Sequence, residues 1–313
     1  MPERRFELLD TLRREGLPEP DAETMQGLHD IVDEGVLGAS NHVALALPLV
    51  ARIAWLDRPT ALHEALVLSR FIAGTRGLAA PIVANALAWQ SRGAEDLPPE
   101  EAARLLAERA TEWDRAAATR RHALVERSVE TLQSCRTPLI YDYSSTVADI
   151  VRALAQASGL ERIVIPESRA IDGGRRYMTA LRDLDVPLLF LPDAALEHAA
   201  GLSDALLLGA ESVTLDGGVS NTIGSVPAAR AARAHGLPVY GAADLFKVGE
   251  RRVGELPPPA PRDYDFLLRE GETASTAAPE LEVVPPDLVT AILTEIGPVA
   301  PTDLAVALRH RAT

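Results

Sequence analysis

Residues 136–176 read RTPLIYDYSSTVADIVRALAQASGLERIVIPESRAIDGGRR, and their rhythm decides the fold. A short apolar run at 138–141 is followed by a polar cluster, an amphipathic stretch at 146–158 and a second apolar run at 162–166. Continuous apolar runs are the signature of strands buried on both faces, and helical segments between them make the β-α-β units of a parallel sheet. The pattern extends outward. Apolar runs recur at 186–191, 205–209 and 238–241, and helices are predicted at 174–184, 193–201 and 223–235. Residues 256–280, rich in Pro, Ala and Thr, are expected to form a surface loop. A last helix is expected at 286–296.

Before residue 136 the period is helical. Leu8, Leu12 and Leu17 begin it, and apolar positions recur at helical spacing in 27–36, 43–55 and 61–73. Residues 74–90 read as a loop leading into a buried helix. Pro98 and Pro99, followed by Glu100 and Glu101, open a helix or helix pair that runs to residue 132. The expected fold is therefore α/β: an N-terminal helical domain, residues 1–132, and a C-terminal Rossmann-like domain, residues 136–313, with helices on both faces of a parallel sheet.

Composition narrows the function. The 313 residues are 47% hydrophobic but only 4% aromatic, so the core is built from Ala, Leu and Val. A net charge of −14 disfavours a direct nucleic-acid partner, because phosphate backbones require a basic footprint. The single cysteine, Cys135, excludes an intrachain disulfide and a multi-cysteine metal site. The seven histidines are scattered, and no Gly-rich dinucleotide loop, Walker loop or metal-spaced His pair is present. Neither a cofactor nor a metal is expected. No stretch approaches membrane-helix length and residues 1–14 lack a signal-peptide core, so a cytoplasmic protein with no membrane partner is expected.

In open α/β sheets ligands bind at the carboxyl ends of the strands. Four such ends carry polar clusters. Tyr141-Asp142-Tyr143-Ser144-Ser145-Thr146 offers hydroxyls that either cap the next helix or leave its N–H groups facing an anion. In Glu167-Ser168-Arg169, ahead of Asp172-Gly173-Gly174, Arg169 can hold a phosphate or pair with a carboxylate. Gly209-Ala210-Glu211 precedes Asp216-Gly217-Gly218-Val219-Ser220-Asn221-Thr222, where an Asp-Gly-Gly turn is expected to aim Asn221 at the start of a helix. The fourth cluster ends in Lys247, the only lysine, which reads as a ligand contact or as a solvated charge.

Taken together, these motifs resemble the family that unites the alpha, beta and delta subunits of initiation factor 2B with isomerases of methylthioribose 1-phosphate and ribose 1,5-bisphosphate. Gly74-Thr75-Arg76 and Val284-Pro285-Pro286-Asp287 add to the likeness. The resemblance implies a homodimer formed through the C-terminal domain and a ligand cleft between the domains. The isomerases of the family carry a cysteine, an aspartate, an early arginine and a lysine. This sequence has Tyr143, Glu211, an apolar segment near Leu37-Gly38-Ala39, and Thr222 in those places.

Two readings follow from the resemblance. One is an initiation factor 2B-like protein that binds a sugar phosphate or nucleotide in the cleft in a regulatory role, without standard isomerase activity. The other is an aldose–ketose isomerase of a phosphorylated pentose with a rewired acid–base site. The candidate acid–base residues are Glu211, Tyr143 and Asp142. The candidate ligand contacts are Arg76, Ser144, Ser145, Glu167, Arg169, Asn221, Thr222 and Lys247.

Overall fold

In the computed structural model, which describes residues 9–33 and 39–312, residues 9–14 are helical and five longer helices follow. These are α1 (Ala22–Val32), α2 (Ala39–Ala54), α3 (Ala61–Ala79), α4 (Pro81–Ser91) and α5 (Pro99–Thr131). The expectations for Leu8, Val36 and the Leu37-Gly38 segment lie outside the described residues. Asp21 caps α1, accepting from the Thr24 amide at 2.8 Å, and Arg52 binds the same carboxylate from α2. The Arg52 guanidinium holds the Asp21 carboxyl well below the usual carboxylate range.

Of the loop and buried helix expected over 74–90, the helix is present as α4 and the loop before it is absent. Helix α3 continues through Gly74 and Gly77, and Pro81 starts α4 after a one-residue break at Ala80. The glycine has a packing reason. A Cβ on Gly77 would lie 2.6 Å from the Ala84 Cβ, so its missing side chain lets α3 and α4 approach closely. A buried Gln90 side chain donates to the carbonyls of Leu47 and Leu106, tying α4 to α2 and α5.

The chain divides into two compact units at Ala118/Thr119. The second unit is built on β1 (Pro138–Tyr141), α6 (Ser145–Ser158), β2 (Ile163–Pro166), α7 (Gly173–Ala180), β3 (Leu188–Leu191), α8 (Leu196–Gly201) and β4 (Ala205–Gly209). It continues with β5 (Ser212–Val213), β6 (Val219–Thr222), α9 (Ser225–Ala234) and β7 (Val239–Ala242). The short strands β8 (Pro261–Arg262) and β9 (Ala278–Pro279) pair within the expected surface loop. Then come β10 (Leu281–Val284), β11 (Ala291–Thr294), β12 (Gly297–Val299) and α10 (Leu304–Ala307).

The main sheet has the order β12-β11-β7-β4-β1-β2-β3, all parallel except the edge strand β12. Alternate side chains enter two separate cores. Leu139, Val164, Leu206, Leu208 and Ile292 pack with α8, α9 and α10. Ile140, Ile163, Ile165, Leu207 and Leu293 pack with α6, α7 and the end of α5. Both faces are covered, which is why these strands lack polar alternation.

Three sequence expectations are corrected here. The helix expected at 286–296 is a turn followed by β11, which pairs with β7 and turns back through Gly297 at φ 111°. Its β-branched Ile292 and Thr294 favour a strand, and burial of Ile292 and Leu293 in opposite cores removes the amphipathic contrast that separates the two periods. The helix expected from residue 223 begins at Ser225. Residues 219–222 are not part of a turn into that helix but strand β6, the centre of a second, antiparallel sheet ordered β10-β6-β5. Among the described residues no helix is long and apolar enough to cross a membrane.

Candidate functional site

Strand β1 ends at a backbone that turns sharply. Asp142 follows it at φ 56°, a left-handed conformation that Asp tolerates better than most residues. Ser168 after β2 and Asp172 before α7 share that conformation, and among the described residues these three are the non-glycine residues at positive φ. Such backbone costs about 1–3 kcal/mol per residue and gathers at functional sites. Two of the three are joined directly, because the Ser168 hydroxyl donates to Asp142 Oδ1 at 2.9 Å.

The Asp142 carboxyl is 4% exposed. Its second oxygen accepts from the Thr222 hydroxyl at 2.7 Å. Burial raises its pKa, and the hydroxyls of Thr222 and Ser168 oppose the shift. Gly173 makes the room, since a Cβ there would collide with Asp142 Oδ1.

The same loop orders the opening of α6. The Ser144 hydroxyl accepts from the Val147 amide at 3.3 Å, a helix cap, and the Ser144 amide donates to the buried Tyr177 hydroxyl. Ser145 is the exposed first residue of α6. The Tyr143 ring packs on Tyr177, with centroids 5.2 Å apart, and carries the Arg176 guanidinium 4.2 Å from its own centroid. Cys135 precedes β1 and is buried, and burial pushes its thiol up to about 12, so it does not supply a thiolate here.

After β2, Asp193 accepts from the amides of Ser168 and Arg169 at 2.9 and 2.8 Å and fixes that turn. Glu167 is partly buried, and the exposed Arg169 guanidinium reaches it at 4.0 Å while lying 5.4 Å from the Phe266 ring centroid. After β4, the peptide between Ala210 and Glu211 is held at both polar atoms. Its carbonyl accepts from Lys247 Nζ at 2.6 Å, and its N–H donates to the Ser220 carbonyl at 2.9 Å. The Glu211 carboxylate is half-buried and makes no hydrogen bond or ion pair among the described residues.

Asn221 is 7% exposed, and its Nδ2 has no hydrogen-bond partner among the described residues. It stands in register with Glu282 of β10. Successive strand residues face opposite sides, so Asn221 points away from its neighbour Thr222. It does not reach the α9 N-terminus, which Glu282 occupies by accepting from the amides of Gly224 and Val226. In the first unit, Arg76 donates to His42 Nδ1 at 2.9 Å.

Asp142, Thr222 and Ser168 therefore form one bonded group. Tyr143 and Ser144 meet at Tyr177, Arg176 lies over the Tyr143 ring, and Glu211 joins Lys247 through the backbone. Ser168, Gly173, Tyr177, Asp193 and Glu282 were not singled out as site residues from sequence. Asp193 was accessible to the strand-end rule, as it lies two residues beyond β3. Among the described residues no three or more His, Cys, Asp or Glu side chains gather as metal ligands would.

A sequence profile described as the initiation factor 2 subunit family matches residues 60–301. The chain belongs to that family. Within the initiation factor 2 subunit family and its relatives, a methylthioribose-1-phosphate isomerase of Thermosynechococcus vestitus is 31% identical over 170 residues, covering 51% of this chain and 48% of that protein. A ribose 1,5-bisphosphate isomerase of Thermococcus kodakarensis is 28% identical over 147 residues, covering 45% and 46%. The chain spans about half the length of these relatives. The crystal structure of the Pyrococcus horikoshii translation initiation factor eIF-2B shares the fold at TM-score 0.74 and 20% identity, covering 90% of this chain and 98% of that one.

Proposed function

We propose that the protein is an aldose–ketose isomerase of a phosphorylated pentose, with Asp142 and Glu211 as its acid–base groups. The observation that carries this reading is the buried Asp142 carboxyl, shifted toward its neutral form and bonded to the hydroxyls of Ser168 and Thr222 at a strand end. A carboxyl with a perturbed pKa at the strand-end edge of such a sheet supports a role in proton transfer. The relatives named as sugar-phosphate isomerases support the reaction class.

In the net reaction the bond between C1 and the ring oxygen breaks and hydrogen moves from C2 to C1. The C2 hydroxyl becomes a carbonyl, and its proton ends on the former ring oxygen. No oxidant or reductant is consumed. In its protonated form Asp142 donates to one of the two hydroxyls from which it otherwise accepts, and that hydroxyl passes its own proton to the ring oxygen. The uncommitted carboxylate of Glu211 accepts the proton from the C2 hydroxyl. Arg169 and Arg176, both exposed near this edge, are the cations for the phosphate.

The test uses ribose 1-phosphate, ribose 1,5-bisphosphate and methylthioribose 1-phosphate with the purified chain. At least one is expected to yield its ketose, and Glu211→Gln or Asp142→Asn to lower kcat by about 10²-fold or more. One observation favours a binding protein instead: both oxygens of Asp142 are already engaged. Thermal stabilisation by a sugar phosphate without turnover of any of the three would establish that second reading.

A further inference from the structure

We propose that Lys247 is a positioning residue for Glu211, and that Glu295 holds the turn from which Lys247 acts. The inference rests on Glu211 being a reacting group of the proposed isomerase. The only lysine of the chain directs its ammonium to the carbonyl of Ala210, the oxygen of the very peptide whose nitrogen belongs to Glu211. With Ser220 accepting the N–H of that peptide, its plane cannot rotate without breaking a bond on one side or the other. The direction in which the Glu211 side chain leaves the backbone is thereby set, while its carboxylate remains uncommitted.

Lys247 closes the short 3-10 turn Leu245–Lys247. The first amide of that turn, Leu245 N–H, donates to both oxygens of Glu295 at 3.3 and 3.0 Å. Glu295 follows β11, and three groups surround it. Asp244 precedes the turn. Arg120 of α5 lies 3.7 Å from Asp244, and its guanidinium lies 4.2 Å from the ring centroid of Phe246. Arg127 donates to the Glu295 backbone carbonyl. Beyond Lys247 the chain stays laced to the Glu211 loop. Gly249 N–H donates to the Val213 carbonyl, Leu215 N–H to the Arg251 carbonyl, and Val253 N–H to Asp216. The lysine is thus the first stitch of a seam along residues 210–216, and it is the stitch beside the reacting carboxylate.

The experiment compares wild type with Lys247→Met, Lys247→Arg and Glu295→Gln. Amide hydrogen exchange is read in peptides covering 209–216, with α9 as the internal control. Turnover is read on the sugar phosphate that wild type isomerises. Lys247→Met is expected to raise exchange in 209–216 by about tenfold with α9 unchanged, and to lower kcat by about 10–100-fold with KM within twofold, as small misplacements of a reacting group do. Lys247→Arg is expected to restore most of both, and Glu295→Gln to shift both in the same direction by less. Unchanged exchange in 209–216 would overturn the proposal, as would a rise in KM at constant kcat, which marks a ligand contact. If Lys247→Met does not fold, Glu295→Gln carries the same exchange test. Should wild type isomerise none of the three substrates, the proposed function fails, while the exchange comparison still decides whether Lys247 holds the loop.

Discussion

Thr222 Oγ1 donates to Asp142 Oδ2 at 2.7 Å, joining residues eighty positions apart and linking the main sheet to the second one. In Thr222→Val the carboxylate keeps its burial but loses one of its two hydroxyl donors. The Asp142 pKa then rises further. Leaving a buried acceptor unsatisfied costs about 1–3 kcal/mol. Urea unfolding at pH 7 is expected to show a loss in that range, smaller at pH 4 where the carboxyl is closer to neutral.

Glu295 gives a second pH-dependent prediction. Burial, reinforced by Asp244, raises its pKa from 4.5 to about 7. Between these values the folded state binds more protons than the unfolded state, so the contribution of Glu295 to stability is fully present below pH 4.5 and is lost as pH rises through 7. Glu295→Gln removes this dependence. Relative to wild type, the variant is expected to gain with rising pH between 4.5 and 8, by up to about 3 kcal/mol from the size of the shift. Urea midpoints at pH 5 and pH 8 check it: a wild-type–variant difference independent of pH would contradict the assignment.

Gly77→Ala tests the packing of the first unit. The new methyl would meet the Ala84 Cβ at 2.6 Å and the Ala84 backbone nitrogen at 3.1 Å, so α3 or α4 must shift to admit it. Better helix propensity is expected to be outweighed by overpacking of about 1–3 kcal/mol. A melting temperature equal to or above that of wild type would show that α3 and α4 can separate.

Asp193→Ala removes the acceptor of two adjacent backbone amides, those of Ser168 and Arg169. Charge-assisted bonds of this kind contribute about 1.5–3 kcal/mol. Faster hydrogen exchange at residues 168–169 is expected, with lower stability and reduced turnover. Protected amides there would mean that the left-handed Ser168 needs no such support.

How far the sequence carried these conclusions depends on the residue. The strands β1, β2, β4 and β7 were legible because burial on both faces leaves uninterrupted apolar runs. The same property hid β11, whose apolar run is also compatible with a helix. Gly74 and Gly77 suggested a loop, since a glycine that relieves steric crowding between helices looks the same in sequence as one that breaks them. In the candidate site, Asp142 and Glu211 stand out by lying at strand ends, and Thr222 by the resemblance, which sets it where the isomerases carry a lysine. Ser168 lies within the Glu167-Ser168-Arg169 motif, but its bond to Asp142 depends on positive φ at both residues, which spacing does not reveal. The backbone role of Lys247 was equally hidden, because a charged side chain after a strand suggests a ligand before it suggests a carbonyl.

The solitary lysine has a practical consequence. A protein with one ε-amine offers acylating reagents a single lysine to modify. Because that amine is partly buried and engaged, its acetylation rate is a gauge of how often the bond to Ala210 opens, readable by mass spectrometry on the unaltered chain without any mutation or substrate.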